Sequence, residues 1–176
     1  ILEHVRNGKS FTCLGAPGVG KTWILGKVKE CLEELNERVV CLAPTHLAAR
    51  LLPDGQTVNN FISRYAKLGA YKGYILFDEI SMSCLPLFAA LDHLRLLGTK
   101  MIRFGDWNQL PPHPESNSWR GEPIGPTAFR NSRLYKLWSA STCFELTRFR
   151  RSDEKHFNFY NLLLEKSLPA AIAATR

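Results

Sequence analysis

The stretch Gly15-Ala16-Pro17-Gly18-Val19-Gly20-Lys21-Thr22 has the form GxxxxGK[ST]. Closely spaced glycines let consecutive backbone N–H groups curl around one anion. A helix starting at Lys21 would add the positive end of its dipole. Lys21 would then reach the β and γ phosphates of a nucleotide, and Thr22 would hold Mg²⁺. A chance glycine turn is the plain alternative. Against it stands the context, since the octet lies between a strand-like and a helix-like segment. Further along, Ile75-Leu76-Phe77-Asp78-Glu79 is an apolar run ending in two acids. Adjacent strands of a parallel sheet finish at one edge, where ligands bind. That places Asp78 beside the metal and Glu79 near the γ phosphate. Asp78 would bind the metal's water shell, and Glu79 would take a proton from the attacking water. Two solvated acids at a strand end are the alternative. The cofactors expected on this reasoning are ATP and Mg²⁺.

Something must carry these groups to one place. Short apolar runs alternate with longer helical patterns, which predicts an α/β fold with a mostly parallel central sheet and helices on both faces. Strands are expected at residues 10–15, 38–42, 74–78, 100–105 and 142–146. Helices are expected at residues 21–35, 46–52, 57–65, 85–97, 131–139 and 153–165. In the first of these, Ile24, Leu25, Val28, Cys31, Leu32 and Leu35 recur on one face. In the third, Val58, Phe61, Ile62 and Tyr65 point inward. From Asp106 to Pro126 five prolines and several Gly, Asn and Ser residues predict a long irregular loop.

The 176 residues suffice for one domain with a sizeable core. Apolar residues make up 45% and charged residues 22%, as in ordinary globular proteins. The formal charge of +7 suits a polyanionic partner, although surface charge for solubility explains it equally well. The five cysteines show no CxxC spacing and no zinc pattern, which favours a reducing, intracellular setting. Cys13 and Cys41 sit in strand-like runs and read as small hydrophobes. No apolar run approaches about 18 residues, so no membrane span is expected. The chain starts at Ile1 rather than Met, which suggests a piece of something longer.

With these segments in view, the sequence resembles superfamily 1 helicases of the RecD-like branch, which move 5′ to 3′. It looks closest to the PIF-type (petite integration frequency) DNA helicases. GAPGVGKT is their motif I. Ala43-Pro44-Thr45-His46-Leu47-Ala48-Ala49-Arg50-Leu51 resembles motif Ia, and Gln56-Thr57-Val58-Asn59-Asn60-Phe61 resembles the TIHSF segment. Phe77-Asp78-Glu79-Ile80-Ser81-Met82 is similar to the DEISM form of motif II. Phe104-Gly105-Asp106-Trp107-Asn108-Gln109-Leu110-Pro111-Pro112 is similar to motif III, and Leu146-Thr147-Arg148-Phe149-Arg150-Arg151-Ser152-Asp153 to motif IV. The resemblance covers about residues 10–165. It implies a RecA-like P-loop domain over residues 1–166, with a loop over residues 106–127. Residues 167–176 would begin a linker to a second motor domain.

The resemblance also assigns roles. Gln109 would sense the γ phosphate and report it to the DNA groove. Arg150 would offset charge on that phosphate, with Arg148 as the alternative because the spacing is one residue short and Arg151 replaces the usual glutamine. Thr45, His46, Thr57 and Asn60 would contact single-stranded DNA without reading its sequence. Phe61 and Trp107 offer rings for base stacking, but Phe61 fits an inward helical face better. Single-stranded or forked duplex DNA is the implied partner, and the protein is expected to be monomeric. The family's adenine-reading glutamine motif and its second RecA-like domain are not found in the chain. Rival readings are a single-stranded nucleic-acid binding module that no longer cycles, an RNA helicase domain, and a P-loop ATPase of another kind.

The isolated chain is therefore expected to bind ATP weakly, hydrolyse it slowly and leave duplexes intact. Lys21→Ala should abolish the residual ATPase, measured by phosphate release, while DNA binding persists. Rapid strand separation by this polypeptide alone would contradict the expectation.

Overall fold

The computed structural model describes residues 1–65, 71–109, 118–119, 122–123, 131–133 and 142–150. Its centre is a six-stranded sheet in which every neighbouring pair is parallel. The strands are Phe11–Gly15 (β1), Val39–Ala43 (β2), Gln56–Thr57 (β3), Tyr74–Phe77 (β4), Lys100–Gly105 (β5) and Cys143–Leu146 (β8), in the spatial order β3-β2-β4-β5-β1-β8. Between β5 and β8 in the chain, Ser118–Trp119 (β6) pairs antiparallel with Glu122–Pro123 (β7). This corrects the expectation of one irregular loop from Asp106 to Pro126. Proline lacks an amide donor, but at the end of so short a ladder that loss is tolerated.

Side chains alternate across the sheet, so each strand feeds two cores. Phe11, Cys13, Cys41, Leu76, Ile102 and Phe104 face the helix Lys21–Glu34 (α2), which contributes Leu25, Val28, Cys31 and Leu32. Leu42, Ile75, Phe77 and Met101 face the helices Val58–Tyr65 (α4) and Leu85–Leu96 (α5). Strands buried on both faces read as continuous apolar runs, and all four residues of β4 are buried. Removing each such large side chain from water contributes about 1.5–3 kcal/mol.

The helix starts explain themselves locally. Thr45 caps the short helix His46–Arg50 (α3), its Oγ1 accepting from Ala48 N at 3.1 Å. Thr57 does the same for α4, accepting from Asn60 N at 3.3 Å. Pro86 fits the first turn of α5, where a missing N–H costs nothing. The start of α2 differs. Gly20 occupies its cap position with φ 96° and, lacking a side chain, makes no cap bond to the first amides. Uncapped amides at a helix start suit an anion.

The predicted elements and the observed ones agree to within a few residues over β1, α2, β2, α3, α4, β4, α5, β5 and β8. Leu35, expected on the buried face, is 47% exposed because α2 ends at Glu34. The helices expected at 131–139 and 153–165, and the tail 167–176, fall largely or wholly outside the described residues. Not anticipated were the first helix Leu2–Arg6 (α1), the two-residue β3 and a 3-10 turn at Ile80–Met82. The phosphate-loop and acid-pair strands are not adjacent, as β5 lies between β1 and β4. Among the described residues no helix is long and apolar enough to cross a membrane.

The turn at Ile80–Met82 is seated on the end of β5. A β-carbon on Gly105 would lie 2.5 Å from Ile80 Cγ1 and 3.1 Å from Ile80 N. Gly105→Ala is therefore expected to destabilise the chain by about 1–3 kcal/mol, read as a lowered midpoint in urea unfolding. An unchanged midpoint would show that the turn is not held by this contact.

Candidate nucleotide site

Four strands of the sheet deliver their following residues to one rim. β1 leads into the glycine loop, β4 into Asp78 and Glu79, β5 into Asp106–Gln109, and β8 into Thr147–Arg150. Gly18 and Gly20 adopt φ 85° and 96°, values that L side chains resist. Gly15 is bare for a different reason, since a β-carbon there would meet Val19 Cγ2 at 2.7 Å and the Leu146 carbonyl at 2.8 Å. The end of β8 thus packs directly on the loop. The Arg150 amide extends this contact by donating to the Gly18 carbonyl at 3.0 Å.

Lys21 is only 8% exposed. Its Nζ donates to the carbonyls of Gly15 (2.7 Å) and Ala16 (3.1 Å), so the loop itself supplies oxygen to the buried ammonium. Thr22 is exposed beside it.

Asp78 is buried, and one of its oxygens accepts the Glu79 amide at 2.9 Å. Burial raises its pKa above the ordinary aspartate value, while the Glu79 amide and the charge of Lys21 pull the other way. Glu79 is raised too, chiefly by burial, then by Asp78, with Asp106 adding and Lys21 subtracting. Its Oε2 is buried without a hydrogen-bond partner among the described residues. Its backbone is left-handed at φ 52°, ψ 47°, a conformation costing a non-glycine residue of order 1–3 kcal/mol. Lys21, Asp78, Glu79 and Asp106 therefore share one electrostatic neighbourhood. A buried aspartate beside a half-buried glutamate with an unsatisfied oxygen fits a site completed by a cation. Among the described residues no three His, Cys, Asp or Glu side chains gather to hold a metal alone. Mg²⁺ suits such a place, since it binds through one or two protein groups together with phosphate oxygens and water.

Asp106 was not singled out from sequence, although it lies within the GDxxQLPP-like segment. It is buried, and its side chain accepts the Asn108 amide at 2.9 Å. Its carbonyl accepts the Gln109 amide at 3.2 Å. Gln109 is half-buried on the turn after β5, the strand between the loop and the acid pair.

A cavity of about 560 Å³ opens beside the loop, within the range of small-molecule sites. Val19, Gly20, Trp23, Ile24, Arg148 and Arg150 are among its lining. Trp23 is 68% exposed. An indole face, an aliphatic wall and two guanidinium groups suit a flat ring attached to phosphates. Both arginines considered from sequence line this space.

The expected nucleic-acid residues divide. Thr45, His46 and Asn60 are exposed, though the Thr45 hydroxyl already caps α3. Thr57 is buried and its hydroxyl caps α4. Phe61 is fully buried against Tyr65 and Tyr71, so it packs in the core rather than offering a face to bases. Trp107 packs partly buried against the same core. All five cysteines are free, and burial pushes the Cys13 and Cys41 thiols up to about 12, as expected of inert core residues.

A family model described as an AAA domain matches residues 2–120. The ATP-dependent RecD2 DNA helicase of Deinococcus radiodurans is 28% identical over 126 residues, covering 64% of this chain and 17% of that protein. The crystal structure of Pif1 helicase from Candida albicans superposes with a TM-score of 0.67 at 22% identity, over 93% of this chain and 42% of that one. Bacteroides Pif1 bound to ssDNA gives 0.66 at 23% identity, over 93% and 44%. The chain thus spans less than half the length of each of these proteins.

The raised acids imply a cost to the fold. A carboxyl whose pKa rises on folding stabilises the native state below its unfolded pKa, and that contribution is lost as pH climbs through the folded value. Glu79→Gln should accordingly raise Tm at pH 7.5 by roughly 2–4 °C and give no gain near pH 4, by calorimetry. A lowered Tm at pH 7.5 would show that the ionised form is not under strain.

Proposed function

The chain belongs to the AAA domain family, and we propose that it is a helicase-like ATPase domain of the RecD-like, Pif1-like kind that, in a full-length protein, couples ATP hydrolysis to 5′ to 3′ movement along single-stranded DNA and to duplex unwinding. The observation that carries this reading is the convergence of Lys21, Asp78, Glu79 and Asp106 at one rim, with the Gln109 turn rising from the strand between them. The Bacteroides Pif1 structure, bound to ssDNA, shares this fold and points to the same class of partner.

The roles follow from position. The glycine loop and the free amides of α2 take the phosphates of ATP, and Lys21 exchanges carbonyl oxygens for phosphate oxygens. The cavity beside Trp23 takes the nucleoside end. Thr22 and Asp78 would hold Mg²⁺, which supplies charge neutralisation to the phosphates when bound. Glu79 accepts a proton from water. Its raised pKa brings it nearer to neutrality and makes it a better base than an ordinary glutamate. Arg150, tied to the loop through its amide, is assigned the role of offsetting charge on the terminal phosphate. Gln109 reports that phosphate to the DNA side, where Thr45, His46 and Asn60 meet the sugar–phosphate chain. Thr57 acts there through its cap on α4, holding Asn60 in place. A second RecA-like domain closes the cleft, and the protein works as a monomer.

In the full-length protein, single-stranded DNA should stimulate ATP turnover. Gln109→Ala should remove that stimulation while ATP binding stays within about twofold, because the amide reports on the phosphate rather than holding it. A parent protein whose ATPase ignores DNA would sink the motor reading.

A further inference from the structure

We propose that His4 is a positioning residue for Arg150, acting through the register of β8. This rests on the reading of Arg150 above. Among the described residues β8 is an edge strand of four residues and pairs with β1 alone. Its side chains alternate between exposed and half-buried, so burial specifies its register only weakly. A slip of one residue would move everything after it by about 3.3 Å along the strand, and Arg150 lies four positions beyond its end.

The start of β8 is held by α1, from the opposite end of the chain. His4 Nε2 and Thr142 Oγ1 share a hydrogen bond of 3.0 Å. The His4 ring lies edge-on to Phe144 at 5.1 Å and to Phe11 at 6.4 Å, and Phe11 and Phe144 meet edge-on at 5.3 Å. These contacts select Phe144, not its neighbours Cys143 or Glu145, for the α1 side of the sheet. Beside them the Thr12 amide donates to the Thr142 carbonyl at 3.0 Å. The other end of β8 bears on Gly15, and the Arg150 amide reaches the Gly18 carbonyl. The strand is thus pinned at its two ends, one pin on the histidine and one on the glycine loop.

The test is a double-mutant cycle in this chain, with ATP turnover, ADP affinity and amide hydrogen exchange measured on each variant. His4→Ala should lower turnover about tenfold and lower ADP affinity by a smaller factor, because residues of the same segment, Glu145 to Arg150, also line the cavity given to the nucleoside. Exchange should quicken at the Thr12 and Arg150 amides but not at amides between β4 and β5. His4→Phe, which keeps the ring contacts, should recover most of the turnover. In an Arg150→Ala background His4→Ala should have no further effect. Equal loss of turnover in both backgrounds, or unchanged exchange at the Arg150 amide, would overturn the proposal and leave Arg150 standing. Wild-type turnover in Arg150→Ala would remove the reading of Arg150, and the positioning role with it.

Discussion

A lysine ammonium that is nine-tenths buried must be surrounded by oxygen, and the rim of the sheet is organised around that need. The carbonyls of Gly15 and Ala16 accept from Lys21, and the acids Asp78 and Glu79 lie within its field. Without the cation, buried Asp78 and half-buried Glu79 would repel each other more strongly. On the proposed reading, phosphate oxygens would replace the two carbonyls around the ammonium.

Sheet order converts this local chemistry into a possible engine. β5 separates the loop strand from the acid strand and sends its own turn, Asp106–Gln109, into the same neighbourhood. The neighbourhood of Lys21 is therefore shared by three separate chain segments, and the end of β8 packs on the glycine loop as a fourth. On the far side of β4, β2 leads into α3 and β3 into α4, which carry the exposed polar groups Thr45, His46 and Asn60. The sheet is thus the common frame for phosphate chemistry and for the surface proposed to meet DNA.

Much of this was legible beforehand because its causes are local. The glycines of the loop announce themselves since Gly18 and Gly20 need positive φ. The period of α2 appears in Leu25, Val28, Cys31 and Leu32, and β5 appears in the short segment Lys100–Gly105, where Met101, Ile102 and Phe104 are apolar. What stayed hidden depends on contacts between distant segments. The five residues of α1 hold only Leu2 and Val5 as apolar markers, too few to show a period. The place of β5 between β1 and β4 is a matter of sheet order, which no single segment encodes. The cavity beside Trp23 exists only because β8 returns to the loop. Thr57 was read as a DNA contact when its hydroxyl belongs to its own helix, and threonine before a helical run carries that second meaning.

The acid pair depends on more than its two side chains. Glu79 sits in left-handed backbone, the turn after it rests on a glycine of another strand, and Asp78 draws part of its support from the amide of its neighbour. Transplanting an Asp-Glu dipeptide to the end of some other parallel strand would carry over the charges and none of these restraints. A designer grafting this chemistry would have to import the bend, its apolar footing and the bare backbone beneath it as one unit.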